Sequence, residues 1–316
     1  MPLKVGVVMD PISSINIKKD STFAMLLEAK KRKHSIFYIE MANLVLRDGK
    51  PFALSHSLEV FDDANKWFEL GEQKEVNLAD LDVILMRKDP PFNMNYIYAT
   101  YVLERAEIEG VLVVNRAQSL RDCNEKLYTS WFPELCPKTV VSAQSKVLRS
   151  FVKEHQDVIL KPLDGMGGAS IFRVTAKDPN LSVIIETLTS HGSQLAMAQQ
   201  FIPAISEGDK RILMVNGKPV PYTLARIPAK GETRGNLAAG GSGVAMPITE
   251  AEQKVAERVG PELIKRGLYF VGLDIIGGKL TEINVTSPTC IKEIDAAYDT
   301  NISGSLWDCI EQKVSE

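Results

Sequence analysis

A glycine-rich loop beside a lysine is the first feature of this sequence that could do chemistry. In ILKPLDGMGGASIFRV, residues 159–174, three glycines fall within four residues between two apolar runs. Glycine amides can approach an anion closely, and Lys161 on the preceding run can reach a phosphate lying on them. The loop is neither a Walker P-loop nor a dinucleotide fingerprint, since Ser170 replaces the third glycine and IFRV is typical of a strand. We therefore predict a β-hairpin loop over phosphates, fixed by the side chains of Asp164 and Ser170.

Oxygen-bearing side chains interrupt a second apolar segment, YFVGLDIIGGKLTEINVTSP at 269–288. The pattern predicts two strands in which Glu282 and Asn284, two residues apart, project from the same face, as ligands of Mg²⁺ must. A two-residue turn at the paired glycines would set Asp274 opposite Thr281 and turn it away. Because all three oxygen ligands have to converge, we predict that Asp274 pairs with Glu282 through an odd loop of three residues with a glycine bulge.

A long glycine-rich loop lies between these two segments. ARIPAKGETRGNLAAGGSG, residues 225–243, holds five glycines, with Arg226 before the loop proper and Arg234 in its middle. Long loops inside compact domains are typically functional or disordered, and arginine suits carboxylate and phosphate bidentately. The pattern predicts a mobile lid, with an unimportant flexible insertion as the alternative.

Composition limits the class of protein. The chain has 316 residues, 45% of them hydrophobic, a net charge of -3 and a pI near 5.9, which is typical of a globular protein of two or three domains. This charge gives no reason to expect nucleic acid as a partner. No apolar run approaches a membrane span and no signal peptide is evident, so we expect a cytoplasmic location. The four cysteines and four histidines show no metal spacing, and we expect reduced thiols.

Strands and helices alternate in the first third of the chain. LKVGVVMD, a helix over Ser21–Lys33 capped by Asp20 or Ser21, and SIFYIEM form a βαβ unit. LDVILMRKD, a helix that ends at Gly110, and VLVVN continue the pattern. The intervening residues 42–80 are polar and irregular, with a hairpin signal at Asp48-Gly49. The pattern predicts an α/β domain over residues 1–124 with a mostly parallel sheet.

Two loops at the predicted carboxyl edge of that sheet are cationic. DPISSINIKKD and RKDPPF carry Lys18, Lys19, Arg87 and Lys88, which could meet the carboxylates of an anionic substrate. Ordinary charged loops are an equally good interpretation for each residue alone. Further along, the pattern predicts helices near 145–154 and 180–190 and a strand at LAMAQQFI.

Taken together, these segments resemble the ATP-grasp carboxylate-amine ligases. LKPLDGMGG, AQQFI followed by EGDKR, and LDII with TEINVTSP carry the resemblance. VVMDPI, INIKKDS, ADLDVILMRKDPPF and NLAAGG make the sequence most similar to the bacterial-type glutathione synthetases, from Val5 to about Trp307. The resemblance implies an α/β preATP-grasp domain, residues 1–124, followed by a two-lobed α+β ATP-grasp fold. Its central lobe spans 125–202 and its C-terminal lobe, with metal site and lid, spans 203–316.

The resemblance also implies a reaction, in which γ-glutamylcysteine and glycine are joined at the expense of ATP through an acyl phosphate. The implied nucleotide contacts are Lys126, Lys161, Gly165, Met166, Gly167 and Gly168 for phosphates, Gln200, Phe201 and Ile202 for adenine, and Asp209 for ribose. Asp274, Glu282 and Asn284 would hold two Mg²⁺ ions, for which Mn²⁺ can substitute. The implied catalytic residues are Arg211, Arg226 and Arg234, and the implied substrate contacts are Lys18, Arg87, Ser287, Pro288 and Thr289. A homotetramer is expected.

Three other interpretations have weaker support. A related ATP-grasp ligase for other amino acids would keep the ATP residues and change the first-domain loops, but INIKKD and RKDPPF favour the glutathione enzyme. A catalytically silent ATP-binding module would lack metal ligands or arginines that are present here. A covalent role for Cys290 finds no nearby base in the sequence, and the ATP route needs no enzyme nucleophile.

Overall fold

The computed structural model describes residues 2–232, 234–235 and 240–316. The first sheet contains β1 (Lys4–Met9), β2 (Ser35–Glu40), β3 (Leu44–Arg47), β4 (Lys50–Val60), β5 (Phe68–Asn77), β6 (Val83–Met86) and β7 (Leu112–Val114). Their order is β3-β4-β2-β1-β6-β7, with β5 on the other edge of β4. The helices of this part are α1 (Ser21–Lys31), α2 (Met94–Ile108) and α3 (Ala117–Asp122).

The first sheet is mixed, which corrects the prediction of a mostly parallel one. β2, β1, β6 and β7 pair in parallel, but every pairing of β4 is antiparallel. The hairpin at Asp48-Gly49 is confirmed as a two-residue turn with both φ angles positive. The prediction of an irregular segment over 42–80 is wrong. β5 is highly charged and mostly exposed, so it lacks the apolar alternation that signals a strand, and pairing with β4 forms it instead.

Helix α1 begins as predicted and ends two residues early. Asp20 caps it, since its carboxylate accepts a hydrogen bond of 2.6 Å from the backbone N–H of Phe23. The chain leaves the helix after Lys31, and Lys33 is left-handed at φ 65°. Trp307, fully buried, donates from its indole to the carbonyl of Met25, so the C-terminal helix packs on α1 and shares its core.

The second sheet is antiparallel and contains β8 (Thr139–Ser142), β9 (Asp157–Pro162), β10 (Phe172–Thr175) and β11 (Ala196–Gln200), in the order β10-β9-β11-β8. Helices α4 (Ser145–His155) and α5 (Leu181–Leu188) cover it and share an apolar core with its strands. Both helices lie close to their predicted positions. The predicted hairpin between β9 and β10 is confirmed, and it suspends the glycine loop at the edge of this sheet.

The third sheet is also antiparallel, and four buried charged side chains lie on it: Asp209, Arg211, Arg226 and Asp274. It contains β12 (Asp209–Val215), β13 (Lys218–Ile227), β14 (Ser242–Pro247), β15 (Phe270–Ile276) and β16 (Lys279–Asn284), in the order β14-β13-β12-β15-β16. The remaining helices are α6 (Glu250–Lys265), α7 (Ile291–Tyr298) and α8 (Ile302–Ser315). One face packs its apolar residues with α6. The other face carries polar side chains toward one end, and its apolar residues Leu213, Val215 and Leu224 pack in a core shared with α7 and α8.

Asn115 fastens the first sheet to the third. Its amide nitrogen donates to the carbonyls of Phe270 and Val285 at 2.7 and 2.8 Å, and its amide oxygen accepts from the N–H of Phe270 at 2.9 Å. In the described part of the chain, all four cysteines carry free thiols. No helix among the described residues is long and apolar enough to cross a membrane.

Candidate functional site

Two cavities meet over the polar face of the third sheet. The first, here named the β11 cavity, is a cleft of about 80 Å³ between the second and third sheets. The second, the loop cavity, measures about 320 Å³ and lies between loops of the first sheet, the glycine loop and residues 286–290. The loop cavity falls within the size range of small-molecule sites, and the β11 cavity is smaller.

The β11 cavity has apolar walls and a charged end. Its walls are Ile159, Ile171, Phe201, Ile202, Ile205 and Ile276, and its charged residues are Lys161, Asp209, Arg234 and Glu282. The structure therefore brings together, around one cavity, the residues predicted to contact adenine and ribose and one of those predicted to contact phosphate, Lys161. Gln200 also lines it, at the end of β11. An apolar slot with one ionic end has the polarity that a purine nucleotide requires.

Two lysines converge on Glu282 at the charged end. The ammonium groups of Lys126 and Lys161 lie 3.7 and 3.5 Å from its Oε1, and all three side chains are largely buried. Burial lowers the pKa of Lys161. Burial also opposes ionisation of Glu282, but the two ammonium groups outweigh it and hold the pKa of that carboxyl below its ordinary value. Lys161 comes from the second sheet and Glu282 from the third, so this contact joins the two sheets at the site.

The glycine loop is held through its carbonyls. Gly167, Gly168 and Ser170 have positive φ angles of 61°, 82° and 57°. Lys126 donates to the carbonyl of Gly165 at 2.6 Å, and Arg234 donates to that of Gly168 at 3.1 Å. The prediction that Asp164 and Ser170 fix the loop is wrong.

Neither the Asp164 nor the Ser170 side chain hydrogen-bonds to a residue that the structure describes, and the cationic groups bind the loop's carbonyls instead. Met166 and Gly167 line the loop cavity, and Ile171, at the end of the loop, lines the β11 cavity, so this loop borders both cavities.

The predicted metal residues share one face, although the reason for it differs from the prediction. Asp274 pairs with Glu282, and Gly272, two residues before Asp274, pairs with Asn284, which confirms the register. The connection is nevertheless a two-residue turn at Gly277-Gly278, with φ angles of 54° and 75°.

The odd loop was therefore the wrong explanation. Ile275 pairs with Leu280 and Asp274 with Glu282, so Thr281 is an extra residue, a β-bulge inside β16. Its hydroxyl donates to the carbonyl of Asp274 at 3.0 Å. The bulge, and not the loop, supplies the one-residue offset that sets Asp274 opposite Glu282.

Four residues on β12, β13 and β15 form a buried charge cluster on the same face. Arg211 binds Asp274 bidentately at 2.5 and 2.8 Å, and Arg226 bridges Asp274 at 2.8 Å and Asp209 at 2.5 Å. Burial opposes ionisation of Asp274, but the two guanidinium groups lower its pKa strongly. Likewise, the carboxylates outweigh burial and raise the pKa of Arg226. These arginines stay charged, and each is already aimed at the place where the cavities meet.

Asp209 behaves differently from Asp274. Burial, together with the negative charges of Asp274 and Glu282, raises the pKa of Asp209 to about 7 despite its contact with Arg226. Its Oδ1 is buried without a hydrogen-bond partner among the described residues, so an ionised carboxylate is incompletely solvated there. That oxygen is available to a donor such as a ribose hydroxyl, as the prediction for this residue requires.

The loop cavity contains only part of the predicted substrate set. Ser287, Pro288 and Thr289 line it, directly after β16. Arg87 is buried and donates to the Thr22 hydroxyl at 3.0 Å and to the carbonyl of Pro288 at 2.9 Å, and it lines a smaller polar cavity alongside.

Lys18 is exposed and lines neither cavity, whereas its neighbour Lys19 lines the loop cavity. The assignments of Lys18 and Arg87 stay predictions.

Glu125 is a site residue that sequence reasoning missed. Its Oε1 accepts from the N–H groups of Val285 and Thr286, both at 3.0 Å, and from the Thr286 hydroxyl at 2.8 Å. It lines the loop cavity, and burial raises its pKa. The only signal was its position beside Lys126; its partners lie 160 residues further along the chain. Asn16, Asp20, Asp89 and Glu293 also line this cavity and were not predicted.

Cys290 lies at the wall of the loop cavity with its thiol buried. Burial raises the pKa of Cys290, so the reactive thiolate is disfavoured, in agreement with the low weight given to a covalent mechanism.

The proposed lid is described only in part. Arg226 lies in β13, before the loop, as predicted, and Arg234 also binds Glu232 at 2.6 Å. Thr233 and residues 236–239, which include most of the NLAAGG motif, lie outside the described residues. The mobility of the lid stays a prediction.

Comparison with known proteins decides the family. Residues 3–121 match the family described as "Prokaryotic glutathione synthetase, N-terminal domain", and residues 125–299 match "Prokaryotic glutathione synthetase, ATP-grasp domain". The chain belongs to the prokaryotic glutathione synthetase family. It is 63% identical over 312 residues to the glutathione synthetase of Vibrio parahaemolyticus, with 99% of each chain covered. The glutathione synthetase of Shewanella oneidensis is also 63% identical, over 314 residues, 99% of this chain and 100% of that one.

Solved structures agree on the fold of this glutathione synthetase family member. The D-cycloserine synthetase DcsG matches with a TM-score of 0.68 at 12% identity, covering 98% of this chain and 99% of that one. The ATP-grasp ligase PsnB, complexed with precursor peptide PsnA2 and AMPPNP, matches with a TM-score of 0.63 at 16% identity and 99% coverage of both. At these identities the likeness concerns the fold alone, which is the ATP-grasp fold that the sequence predicted.

Proposed function

We propose that this chain catalyses the ATP-dependent joining of γ-glutamylcysteine and glycine to glutathione, with release of ADP and phosphate. Membership of the prokaryotic glutathione synthetase family over the full chain supports the activity. The observation that carries the mechanism is the junction of the two cavities. Glu282 lines the β11 cavity, Arg211, Arg226 and Asn284 line the loop cavity, and Asp274, paired with Glu282 in the sheet, binds both arginines. A phosphoryl group passing from one cavity to the other would cross this junction.

The nucleotide occupies the β11 cavity in this proposal. Adenine lies against Phe201 and Ile202 with the backbone of Gln200, and the ribose reaches the free oxygen of Asp209. Lys126 and Lys161 at the charged end bind the phosphates, and the glycine loop from Gly165 through Met166 to Gly168 covers them.

Asp274, Glu282 and Asn284 fit a hard divalent cation. Two carboxylates and an amide oxygen on one face are the donors that Mg²⁺ takes, and Mn²⁺ accepts the same set. The amide nitrogen of Asn284 donates to the carbonyl of Gly272 at 3.3 Å, which orients its oxygen outward. Bound there, such an ion would neutralise phosphate charge and orient the phosphoryl group.

The chemistry of the reaction asks for positioning and positive charge. A free carboxylate is a poor electrophile because oxide would have to leave, so its oxygen first attacks the γ-phosphorus of ATP and ADP departs. Glycine's amine then attacks the carbonyl carbon of the resulting acyl phosphate. The bond between that carbon and the phosphate oxygen breaks, and phosphate leaves with the bonding electron pair while the amine loses a proton. Arg211 and Arg226 are fixed by Asp274 beside this path, and removing either is expected to cost roughly 10² to 10³ in turnover. Arg234 contacts the glycine loop and would help exclude water.

The peptide substrate and glycine occupy the loop cavity. Ser287, Pro288 and Thr289 border it, and Arg87 stabilises this segment through the carbonyl of Pro288. Lys18 has no contact in its favour, but its loop forms part of the cavity rim through Lys19.

We further propose the limits 1–124, 125–202 and 203–316 for the three domains, a homotetrameric assembly and a cytoplasmic location. Three sheets, one in each range, support the division. Exposed apolar side chains on the outer face of α2 (Met94, Tyr98, Tyr101 and Ile108) offer a surface for self-association. Light scattering coupled to size-exclusion chromatography would measure the assembly, and a monomer at micromolar concentration would contradict it.

The activity has a direct test. Release of ADP is measured with γ-glutamylcysteine plus glycine, and separately with pairs of D-alanine, in the presence of Mg²⁺. Release with the first pair and background with the second is expected. Background release with the first pair would refute the proposed function, and release with D-alanine pairs would favour a different ATP-grasp ligase.

A further inference from the structure

An arginine outside the β11 cavity packs on one of its wall residues. The guanidinium carbon of Arg173, on β10, lies 3.7 Å from the ring centroid of Phe201. The same guanidinium binds Asp157 of β9 bidentately, with nitrogen–oxygen distances of 2.9 and 2.6 Å. None of the predicted catalytic or binding residues requires Arg173 or Asp157.

Phe201 separates two cavities. It lines the β11 cavity and also a second, outer cavity of about 470 Å³, and Ile205 does the same. Arg173 lines only the outer cavity. The guanidinium therefore supports the ring from the side away from the β11 cavity, leaving the other side to face a ligand there.

Asp157 holds both parts of this arrangement. Its carboxylate orients the guanidinium, and its backbone carbonyl accepts a hydrogen bond of 3.0 Å from the N–H of Phe201. The side chains of Arg173 and Asp157 are 42% and 36% exposed, so as an ion pair they add little to stability. A bidentate pair that contributes little to stability still fixes the plane of the guanidinium, and a fixed plane is what stacking on an aromatic ring needs.

We propose that Arg173 is a positioning residue for purine binding, which holds the Phe201 ring and the adjoining backbone of residues 200–202 in the orientation that receives the base. This inference rests on the proposed function, because it assumes that the β11 cavity takes the nucleotide. Arg173 acts through Phe201 and touches no reacting group. Its loss should therefore weaken nucleotide binding and leave the rate of the bound complex nearly unchanged.

The test compares Arg173→Met with wild type by calorimetric titration of MgADP and by steady-state kinetics with varied ATP. Arg173→Met keeps much of the side-chain volume but removes the planar cation, and the stacking energy it loses corresponds to roughly 3- to 10-fold weaker binding. The KM for ATP should rise by the same factor, with kcat within about twofold. Arg173→Lys should fall between, because it keeps the charge and loses the plane. Asp157→Asn, which unlocks the guanidinium without removing it, should also weaken binding.

A double-mutant cycle separates this role from general structural damage. In a Phe201→Leu background, Arg173→Met should change the MgADP affinity by less than about twofold, since the ring it supports is gone. Arg149→Met is the matched control, as that exposed arginine of α4 bonds Ser145 and Ser182 away from both cavities. An unchanged affinity in Arg173→Met, or the same loss with and without Phe201, would overturn the inference. Failure of the wild type to bind MgADP would instead refute the proposed function.

Discussion

The raised pKa of Asp209 predicts a pH dependence of folding stability that one substitution should remove. Asp209 has a pKa of about 7 in the folded chain against 3.8 for an ordinary aspartate. An acid whose pKa is raised by folding contributes stability that is fully present below its unfolded pKa and is lost as the pH rises through its folded pKa. Wild type should therefore lose stability between about pH 4 and pH 7 from this group alone.

The size of the loss follows from the shift. About three pH units, at about 1.4 kcal/mol each, give roughly 4 kcal/mol. The structural cause is the buried Oδ1 of Asp209, which has no hydrogen-bond partner among the described residues and faces the negative charges of Asp274 and Glu282. Asp209→Asn keeps the shape and cannot ionise. Relative to wild type, this variant should gain about 4 kcal/mol of unfolding free energy on going from about pH 4 to about pH 8.

The measurement is urea unfolding of the ligand-free wild type and Asp209→Asn at a series of pH values. The difference between the two cancels the titration of the groups that do not interact with Asp209. Glu72→Gln, which removes an exposed carboxylate of β5, is the control and should show a nearly flat difference. A flat difference for Asp209→Asn would refute the reasoning. A difference of opposite sign would mean that the Arg226 contact dominates and that the pKa of Asp209 is lowered.

Three further predictions concern other parts of the fold. Burial lowers the pKa of His34 from 6.5, so wild type should lose stability relative to His34→Gln as the pH falls below about 6.5. Urea unfolding at a series of pH values measures this difference, with His191→Gln, at an exposed histidine, as the control. Gly277→Ala should cost about 3 kcal/mol of stability and Gly278→Ala about 1 kcal/mol. Both φ angles are positive, but only at Gly277 would an added Cβ meet a side chain, that of Ala204 at 2.9 Å. Equal losses would contradict this. Asn115→Ala should cost about 3–5 kcal/mol in the same assay, since it leaves three buried backbone groups of the third sheet unpaired.

Local sequence predicted the elements whose apolar pattern is set by the core. Strands β1 and β6 bury nearly all of their residues, and helix α4 buries one side. These apolar patterns identified the three elements. Strand β5 was missed because nearly all of its residues are exposed and charged. Its structure comes from pairing with β4, and pairing between distant segments leaves no periodic signal in either one.

The site was predicted in its residue types more fully than in its geometry. The convergence of Asp274 and Glu282 could be inferred because ligands of one ion have to meet. The bulge at Thr281 that produces it could not, since a threonine in a strand has no distinctive signal. Glu125 was missed for a related reason: its carboxylate binds backbone groups of residues 285 and 286, and only the folded chain brings them near.

The buried charges of the site are mutually paired, and this pairing bears on which form of the nucleotide it accepts. Lys126 and Lys161 lie near Glu282, and Asp274 binds Arg211 and Arg226. A phosphate chain that takes the lysines would leave Glu282 buried without its cations, which is costly. A divalent cation arriving with the phosphates replaces them, because it supplies positive charge to the same carboxylate. In the proposed function this arrangement therefore favours the metal–nucleotide complex over the free nucleotide, because the ion would replace the lysines as the cation beside Glu282.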